Sequence, residues 1–205
     1  IEFFEKNDNI DAVVVVCVEN WIKYFEKLVY KFRLEKVKKI VPGGSTGQLS
    51  IYNGICAAKE IAGDNEAIVL IHDGVRPLIN SELLTHNIED VKKYGSSITS
   101  GIVKETIVEI DDDSTIKLVP DRAHSRVAKA PQCFFLKDIM SAHKNALKEN
   151  ITNFIDSCTM MQYYGYTLHM TDGPYENITI TTPDDFYTMR AILQAKEDAQ
   201  IYGID

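Results

Sequence analysis

The sequence predicts an α/β domain in which helices cover both faces of a mostly parallel sheet, with an inserted β-arm. Three apolar, largely β-branched runs have the length and composition of buried strands: 11–18, 37–41 and 66–73. Segments with apolar residues at helical spacing follow them: 20–32, 48–61 and 80–95, the last capped by Asn80 or Ser81 and stopped by Gly95. Alternating strands and helices are typical of a parallel sheet, because each crossover carries a helix back over one face.

The alternation changes after residue 95. Segment 96–122 contains two or three predicted strands and no helix, and residues 111–114 have the composition of a hairpin turn. Such an insertion is either an extra lobe or an arm toward a partner subunit. The predicted elements that follow are helices at 136–150 and 156–165, strands at 166–172 and 176–182, and a last helix capped by Thr182. We predict one domain over 1–205.

Composition excludes several classes of function. The 205 residues carry a formal charge of −8, which argues against a nucleic-acid partner but leaves a small anionic substrate open. Apolar runs fall well short of the ~20 residues of a membrane helix, so no membrane partner is expected. The four cysteines are scattered without a C-x-x-C pair, as in a reduced, cytoplasmic chain without structural zinc.

Residues 43–50, GGSTGQLS, lie before a predicted helix and are open to two interpretations. The stretch lacks the lysine of a P-loop and the spacing of G-x-G-x-x-G. Glycines allow a ligand to approach the backbone, and free amides at a helix start attract anions. Taken alone, the stretch favours a polar loop with a helix cap.

Segment 71–77, IHDGVRP, places Asp73 at the carboxyl end of a predicted strand. Open α/β sheets bind ligands at that edge, and a carboxylate there can hold Mg²⁺. Arg76 then binds phosphate or pairs with Asp73; alternatively, Asp73 only caps the turn. Segment 121–135 contains a cluster of basic residues: Arg122, His124, Arg126 and Lys129. The cluster either binds phosphates or is the solvent-exposed basic edge of a strand.

In order, several stretches resemble the polyol-phosphate cytidylyltransferases, a family that includes enzymes for ribitol 5-phosphate and for 2-C-methyl-D-erythritol 4-phosphate. These are PGGSTGQLSIYNG, HDGVRP, VKETI, DRAHSRVAKAPQCFF, DSC and YENITITTPDD. The resemblance runs from Ile1 to about Ala195. It implies a Rossmann-like nucleotidyltransferase fold, CTP and a polyol phosphate as substrates, Mg²⁺ or another divalent cation, and a homodimer joined by a β-arm at about 100–117. DRAH and DSC favour ribitol 5-phosphate.

The resemblance also implies roles for individual residues. Gly43, Gly44 and Ser50 match the cytidine-binding loop, and Gly74 lies against the ribose. Asp73 matches the metal-binding aspartate. For the polyol phosphate, the matches are Thr106, reached from the partner subunit, and Arg122. Asn177 begins the motif that closes the triphosphate side.

The sequence departs from the family at three positions: Gly47 stands for Arg, Ala130 for Thr, and Thr179 for Lys. The family also opens with a strand and a glycine-rich loop that we expect to precede Ile1. Three functions stay open on sequence alone: an active cytidylyltransferase, a catalytically impaired nucleotide-binding homologue, and a sugar-1-phosphate nucleotidyltransferase relative that uses another nucleotide.

Overall fold

A computed structural model of the chain describes residues 1–203, in which eight strands and seven α-helices form. The strands are β1 (Val13–Cys17), β2 (Val37–Pro42), β3 (Ile68–Ile71), β4 (Ser96–Ile102), β5 (Glu109–Ile110), β6 (Ile116–Leu118), β7 (Arg126–Phe135) and β8 (Met170–Asp172). The helices are α1 (Glu2–Lys6), α2 (Ile22–Phe32), α3 (Gly47–Ala62), α4 (Ser81–Tyr94), α5 (Leu136–Lys148), α6 (Ser157–Tyr163) and α7 (Pro183–Tyr202).

The strands form two sheets and a separate hairpin. Strands β1 and β2 pair in parallel, and a four-stranded sheet has the order β3-β7-β4-β8. Within it, β4 and β8 are parallel, whereas β7 is antiparallel to both of its neighbours. The direction of β7 follows from the excursion that leaves β4 and returns directly into β7, because a return without a crossover reverses the strand.

Two strands are less enclosed than their apolar sequences predict. Every residue of β1 and β3 is half-buried, so the expectation of strands fully buried on both faces is wrong. Within residues 1–203, β1 pairs only with β2, and β3 only with β7. One edge of each strand is therefore without a strand neighbour in this part of the chain.

The main core lies where α3, α5 and α6 pack on the four-stranded sheet. It contains Ile98, Phe134 and Ile139 together with Met160 and Met161. The predicted boundaries of α4 are confirmed: Asn80 accepts from the Leu83 amide, and Gly95 is left-handed.

The predicted strand at 176–182 is wrong. Its backbone groups are used in turns and in a contact with another loop: the Asn177 amide donates to the Pro174 carbonyl, and the Ile180 amide to the Val75 carbonyl. The segment thus packs against the loop after β3. The predicted start of the last helix is confirmed, since Thr182 and Asp185 form a reciprocal capping box.

Residues 103–125 connect β4 to β7 and contain the β5–β6 hairpin. We call this whole segment the arm. Its turn is at the predicted residues, with Ser114 at a positive φ of 67°. Its apolar side chains are exposed to solvent: Ile107, Val108, Ile110, Ile116, Leu118 and Val119. Over the described residues, none of the helices is both long enough and apolar enough to cross a bilayer.

Candidate active site

A cleft of about 280 Å³ lies beyond the carboxyl end of β3, between the start of α3, the middle of β7 and the start of α6. One part is charged and contains Asp73, Arg76 and Lys129. The other part, which we call the neutral part because uncharged side chains dominate it, also contains the Asp156 carboxylate: Gln48, Ile51, Gln132, His143, Phe154, Asp156 and Ser157. The cleft can therefore hold a ligand that has both anionic and neutral polar groups.

Asp73 and Arg76 form the centre of the charged part. Arg76 Nε donates to Asp73 Oδ2 at 2.9 Å, and Arg76 Nη1 donates to the Asn177 carbonyl at 3.2 Å. The Arg76 side chain is 15% exposed, whereas that of Asp73 is 53% exposed. Pairing with Asp73, one of the two roles considered for Arg76, is thus observed, and the pair leaves much of the carboxylate open to the cleft.

The donor set around Asp73 fits a magnesium ion that arrives with phosphates. Mg²⁺ is usually bound by one or two carboxylates together with phosphate oxygens and water, rather than by a complete protein cage. No group of three or more His, Cys, Asp or Glu side chains suited to a metal occurs within residues 1–203. Asp73 is an open carboxylate in the cleft and matches the first arrangement, and the Asp156 carboxylate lines the same cleft.

The glycine-rich loop joins β2 to α3, and much of its polarity is used internally. Thr46 Oγ1 accepts from the Leu49 amide and caps α3, while Ser50 Oγ accepts from the Gly44 amide at 3.0 Å. A Cβ atom on Gly44 would lie 2.5 Å from Leu49 Cβ, so packing alone requires glycine there. Gly43 is held by Cys17, whose carbonyl accepts from its amide.

The start of α3 faces the cleft, because Gly47 and Gln48 both line it. The positive end of a helix dipole favours anions at this place. A Cβ atom on Gly47 would meet no atom within 4 Å, so the missing arginine leaves open space rather than a repacked wall.

Asn177 links the loop after β3 to β7. It is completely buried, and its Nδ2 donates to the Ala130 carbonyl at 2.8 Å while its own carbonyl accepts from Arg76. Asn177 thus supports the charged residues from behind and does not itself line the cleft. Gly74 follows Asp73 and has open space at its α-carbon.

Thr106 and Arg122 lie outside this cleft. Both are on the arm and exposed, and Arg122 Nη1 donates to the Lys104 carbonyl at 3.2 Å, two residues from Thr106 in sequence. The structure therefore links Arg122 to the segment that carries Thr106, and neither residue lines the cleft that contains Asp73 of the same chain.

Sequence reasoning missed the neutral part of the cleft. Gln132 Nε2 donates to Asp156 Oδ2, and its Oε1 accepts from the Cys158 amide, both at 2.8 Å. His143 is 1% exposed, and neither ring nitrogen has a hydrogen-bond partner within the described part of the chain. The helical spacing of Ile139, Ala142, His143 and Ala146 places the histidine on the buried face, a signal that was available in the sequence.

The family described as IspD, 2-C-methyl-D-erythritol 4-phosphate cytidylyltransferase, matches residues 1–195. A ribitol-5-phosphate cytidylyltransferase of Streptococcus agalactiae serotype V is 52% identical over 204 residues, which cover 100% of this chain and 85% of that protein. A 2-C-methyl-D-erythritol 4-phosphate cytidylyltransferase of Clostridium acetobutylicum is 36% identical over 195 residues, covering 95% of this chain and 82% of the relative.

Solved structures of similar proteins share the fold of this chain. The crystal structure of 4-diphosphocytidyl-2C-methyl-D-erythritol synthase from Anaerococcus prevotii superimposes with a TM-score of 0.84 at 26% identity, covering 94% of this chain and 83% of the other. The 2-C-methyl-D-erythritol 4-phosphate cytidylyltransferase of Thermus thermophilus shares the fold, with a TM-score of 0.69 at 20% identity over 90% of this chain and 99% of that one.

Proposed function

Because the chain belongs to the 2-C-methyl-D-erythritol 4-phosphate cytidylyltransferase family, we propose that it transfers a cytidylyl group from CTP to a polyol phosphate, with ribitol 5-phosphate as the preferred acceptor. The open Asp73 carboxylate beside Arg76 in the cleft is the observation that carries this proposal. Asp73 can bind a divalent cation and Arg76 supplies a fixed positive charge. A bound triphosphate requires both, because its negative charges must be neutralised.

The reaction needs little proton chemistry from the protein. A phosphate oxygen of the acceptor attacks the α-phosphorus of CTP, the bond to the β-phosphate oxygen breaks, and pyrophosphate leaves with that electron pair. Rate then depends on alignment and on neutralising charge. Asp73 would hold Mg²⁺, which when bound neutralises phosphate charge, while Arg76 orients Asp73 and the α3 N terminus attracts phosphate oxygens.

The roles of the remaining predicted residues are part of the proposal. Gly43, Gly44, Ser50 and Gly74 approach the nucleoside, and Asn177 fixes the charged part of the cleft. Thr106 and Arg122 bind the acceptor phosphate from the arm. Neither residue lines the cleft of its own chain, which is consistent with a role in the cleft of a partner subunit.

Two facts favour ribitol 5-phosphate over 2-C-methyl-D-erythritol 4-phosphate. The relatives named for the ribitol substrate are 51–52% identical, against 34–38% for those named for methylerythritol phosphate. The motifs DRAH and DSC point the same way. Within bacterial metabolism, the first substrate leads toward teichoic acid and the second toward isoprenoids. The cytoplasmic location stays a prediction.

A nucleotide-binding homologue without turnover is the second candidate. It is favoured by Gly47, Ala130 and Thr179, which remove a guanidinium, a hydroxyl and an ammonium group that the resemblance implies. A Cβ atom at Gly47 would meet no other atom within 4 Å, so no side chain packs directly against this position in the described residues.

Pyrophosphate release by the full-length protein distinguishes these functions. The protein is incubated with CTP and Mg²⁺, and with ribitol 5-phosphate or methylerythritol phosphate in separate reactions. We expect turnover with ribitol 5-phosphate, and much slower release when UTP or GTP replaces CTP. Saturable CTP binding without pyrophosphate release from either acceptor would support the binding protein instead.

We also propose a homodimer formed through the arm. Exposed apolar side chains in one segment are typical of an interaction surface, and Ile110 and Ile116 are directly opposite one another in the hairpin. Replacing Ile110 with Glu should weaken dimerisation at least about tenfold, because a charge would be buried at the interface without a partner. Sedimentation equilibrium measures the dissociation constant.

The control for this variant is Tyr30→Glu, which places the same charge on an exposed aromatic position of α2. It should leave the dimer unchanged. An unaltered dissociation constant in the Ile110→Glu protein would exclude the arm as the dimer contact.

A further inference from the structure

Lys129 is the one member of the basic cluster in 121–135 that lines the cleft. His124 instead pairs with Asp121, and Arg122 and Arg126 donate to the backbone carbonyls of Lys104 and Ser125. All three are exposed, whereas Lys129 is half-buried. Lys129 is the fourth residue of β7, and at this position its side chain lines the same cleft as Asp73 and Arg76.

The Lys129 ammonium group has no hydrogen-bond or ion-pair partner among residues 1–203. Its side chain passes over Gly101 of β4, where a Cβ atom would lie 2.9 Å from Lys129 Cε and 3.2 Å from Nζ. The absence of a side chain at position 101 therefore provides the space in which the lysine reaches the cleft. A half-buried ammonium group without a partner is costly unless a ligand supplies one.

The electrostatic surroundings indicate an anionic ligand. Burial lowers the pKa of Lys129, Arg76 lowers it further, and Glu176 partly opposes both. Lys129 and Arg76 are neighbouring cations that repel each other, and a multiply charged anion between them relieves that repulsion.

We propose that Lys129 is a further substrate-binding residue, which binds a phosphate oxygen of the acceptor and holds it beside Asp73. This inference rests on the proposed function for the identity of the acceptor. It also gives the site a positive charge near the segment of Thr179, because the Asn177 side chain of that segment bonds to Ala130, the neighbour of Lys129.

The first test compares Lys129→Gln, Lys129→Arg and, as a matched control, Lys23→Gln at an exposed position of α2. Lys129→Gln should raise KM for ribitol 5-phosphate about 10- to 100-fold, the usual effect of losing a hydrogen bond to a charged group, with KM for CTP changed much less. Lys129→Arg should recover much of the loss. A folded Lys129→Gln enzyme within twofold of wild type would overturn the proposal.

The pH dependence separates binding from a structural role. In the wild type, KM for the acceptor should increase as the pH is raised, because Lys129 loses its proton. The increase should begin at a pH below the ordinary pKa of lysine, because burial lowers the pKa of Lys129. In Lys129→Arg, KM should stay constant over the same range, because arginine remains protonated. Identical profiles for the two proteins would count against a charged contact.

A binding measurement decides the question even if the protein lacks turnover. Calorimetry with ribitol 5-phosphate, Mg²⁺ and the α,β-methylene analogue of CTP detects binding without transfer, and inorganic phosphate serves as a second probe. Wild type should bind the acceptor at least about tenfold more tightly than Lys129→Gln. Equal affinities would overturn the role of Lys129, whereas binding without turnover of the natural substrates would overturn only the proposed catalysis.

Gly101→Ala provides an independent variant with Lys129 intact. Its new methyl group would displace the flexible end of the lysine, so KM for the acceptor should rise in this protein too. Adding Lys129→Gln should then have little further effect, because both changes remove one contact. Additive effects of the two substitutions would contradict the proposal.

Discussion

Replacing Asp73 with Asn is expected to lower the rate of pyrophosphate release by at least about 100-fold, the usual consequence of removing one electrostatic contact at a reacting centre. Asparagine keeps an oxygen that can accept from Arg76 Nε, as Asp73 does now at 2.9 Å. The loop after β3 should therefore keep its conformation. What is lost is the negative charge that would hold the divalent cation and its phosphates.

Asp64→Asn is the matched control, because Asp64 is exposed in the turn after α3 and does not line the cleft. Both variants should show wild-type thermal unfolding, and only Asp73→Asn should lose turnover. Raising the Mg²⁺ concentration should restore part of the rate in Asp73→Asn. A rate within threefold of wild type in that variant would remove Asp73 from the reacting centre.

The elements of this fold that local sequence determines were predicted correctly. Helix α4 begins after Asn80 and ends before Gly95. A capping side chain and a left-handed residue each satisfy backbone groups at a helix end that have no partner within the helix. The same holds for Thr182 and Asp185 at the start of α7. These signals need no information about distant parts of the chain.

Errors arose where a distant contact decides the conformation. Residues 176–182 alternate in polarity like a strand. In the structure, however, the Ile180 amide donates to the Val75 carbonyl and Asn177 Nδ2 donates to the Ala130 carbonyl. The burial of β1 was overestimated because an apolar sequence reveals affinity for a core without showing which neighbours cover it. The direction of β7 depends on its return from the arm, which composition does not encode.

The site divides in the same manner. Asp73 could be predicted because the carboxyl end of a strand is a recurrent ligand position in α/β sheets. Lys129 could not be separated from Arg122, His124 and Arg126, because only the register of β7 beside Gly101 shows which of them enters the cleft. His143 carried a helical burial signal, but the cleft that it lines is formed by α3, α6 and β7 together.

His143 leads to the second large effect, a loss of stability in mild acid. Burial lowers the pKa of His143 from 6.5 to about 4 in the folded protein. Because the folded pKa lies below the unfolded one, the unfolded chain binds the proton more readily between these values. The stability that the neutral ring allows is therefore complete above pH 6.5 and declines as the pH falls toward 4.

The size of the loss follows from the shift, at 1.36 kcal/mol for each pKa unit, and amounts to about 3 kcal/mol by pH 4. Since carboxylates titrate over the same range, the measured quantity is the difference between wild type and His143→Gln, whose side chain stays neutral. Urea unfolding from pH 7 to pH 4 should show a steeper decline for wild type by about that amount, and His86→Gln, at an exposed position of α4, should follow wild type.

Parallel declines for wild type and His143→Gln would mean that the ring takes up its proton in the folded state at little cost. That result would require water or a counter-charge to reach a side chain that is 1% exposed, so the neutral part of the cleft would be wet rather than closed. A steeper wild-type decline would instead show that protonation of His143 opposes the closed packing of α5 against α3. Activity would then fall in acid together with stability, because α3 also positions the glycine-rich loop.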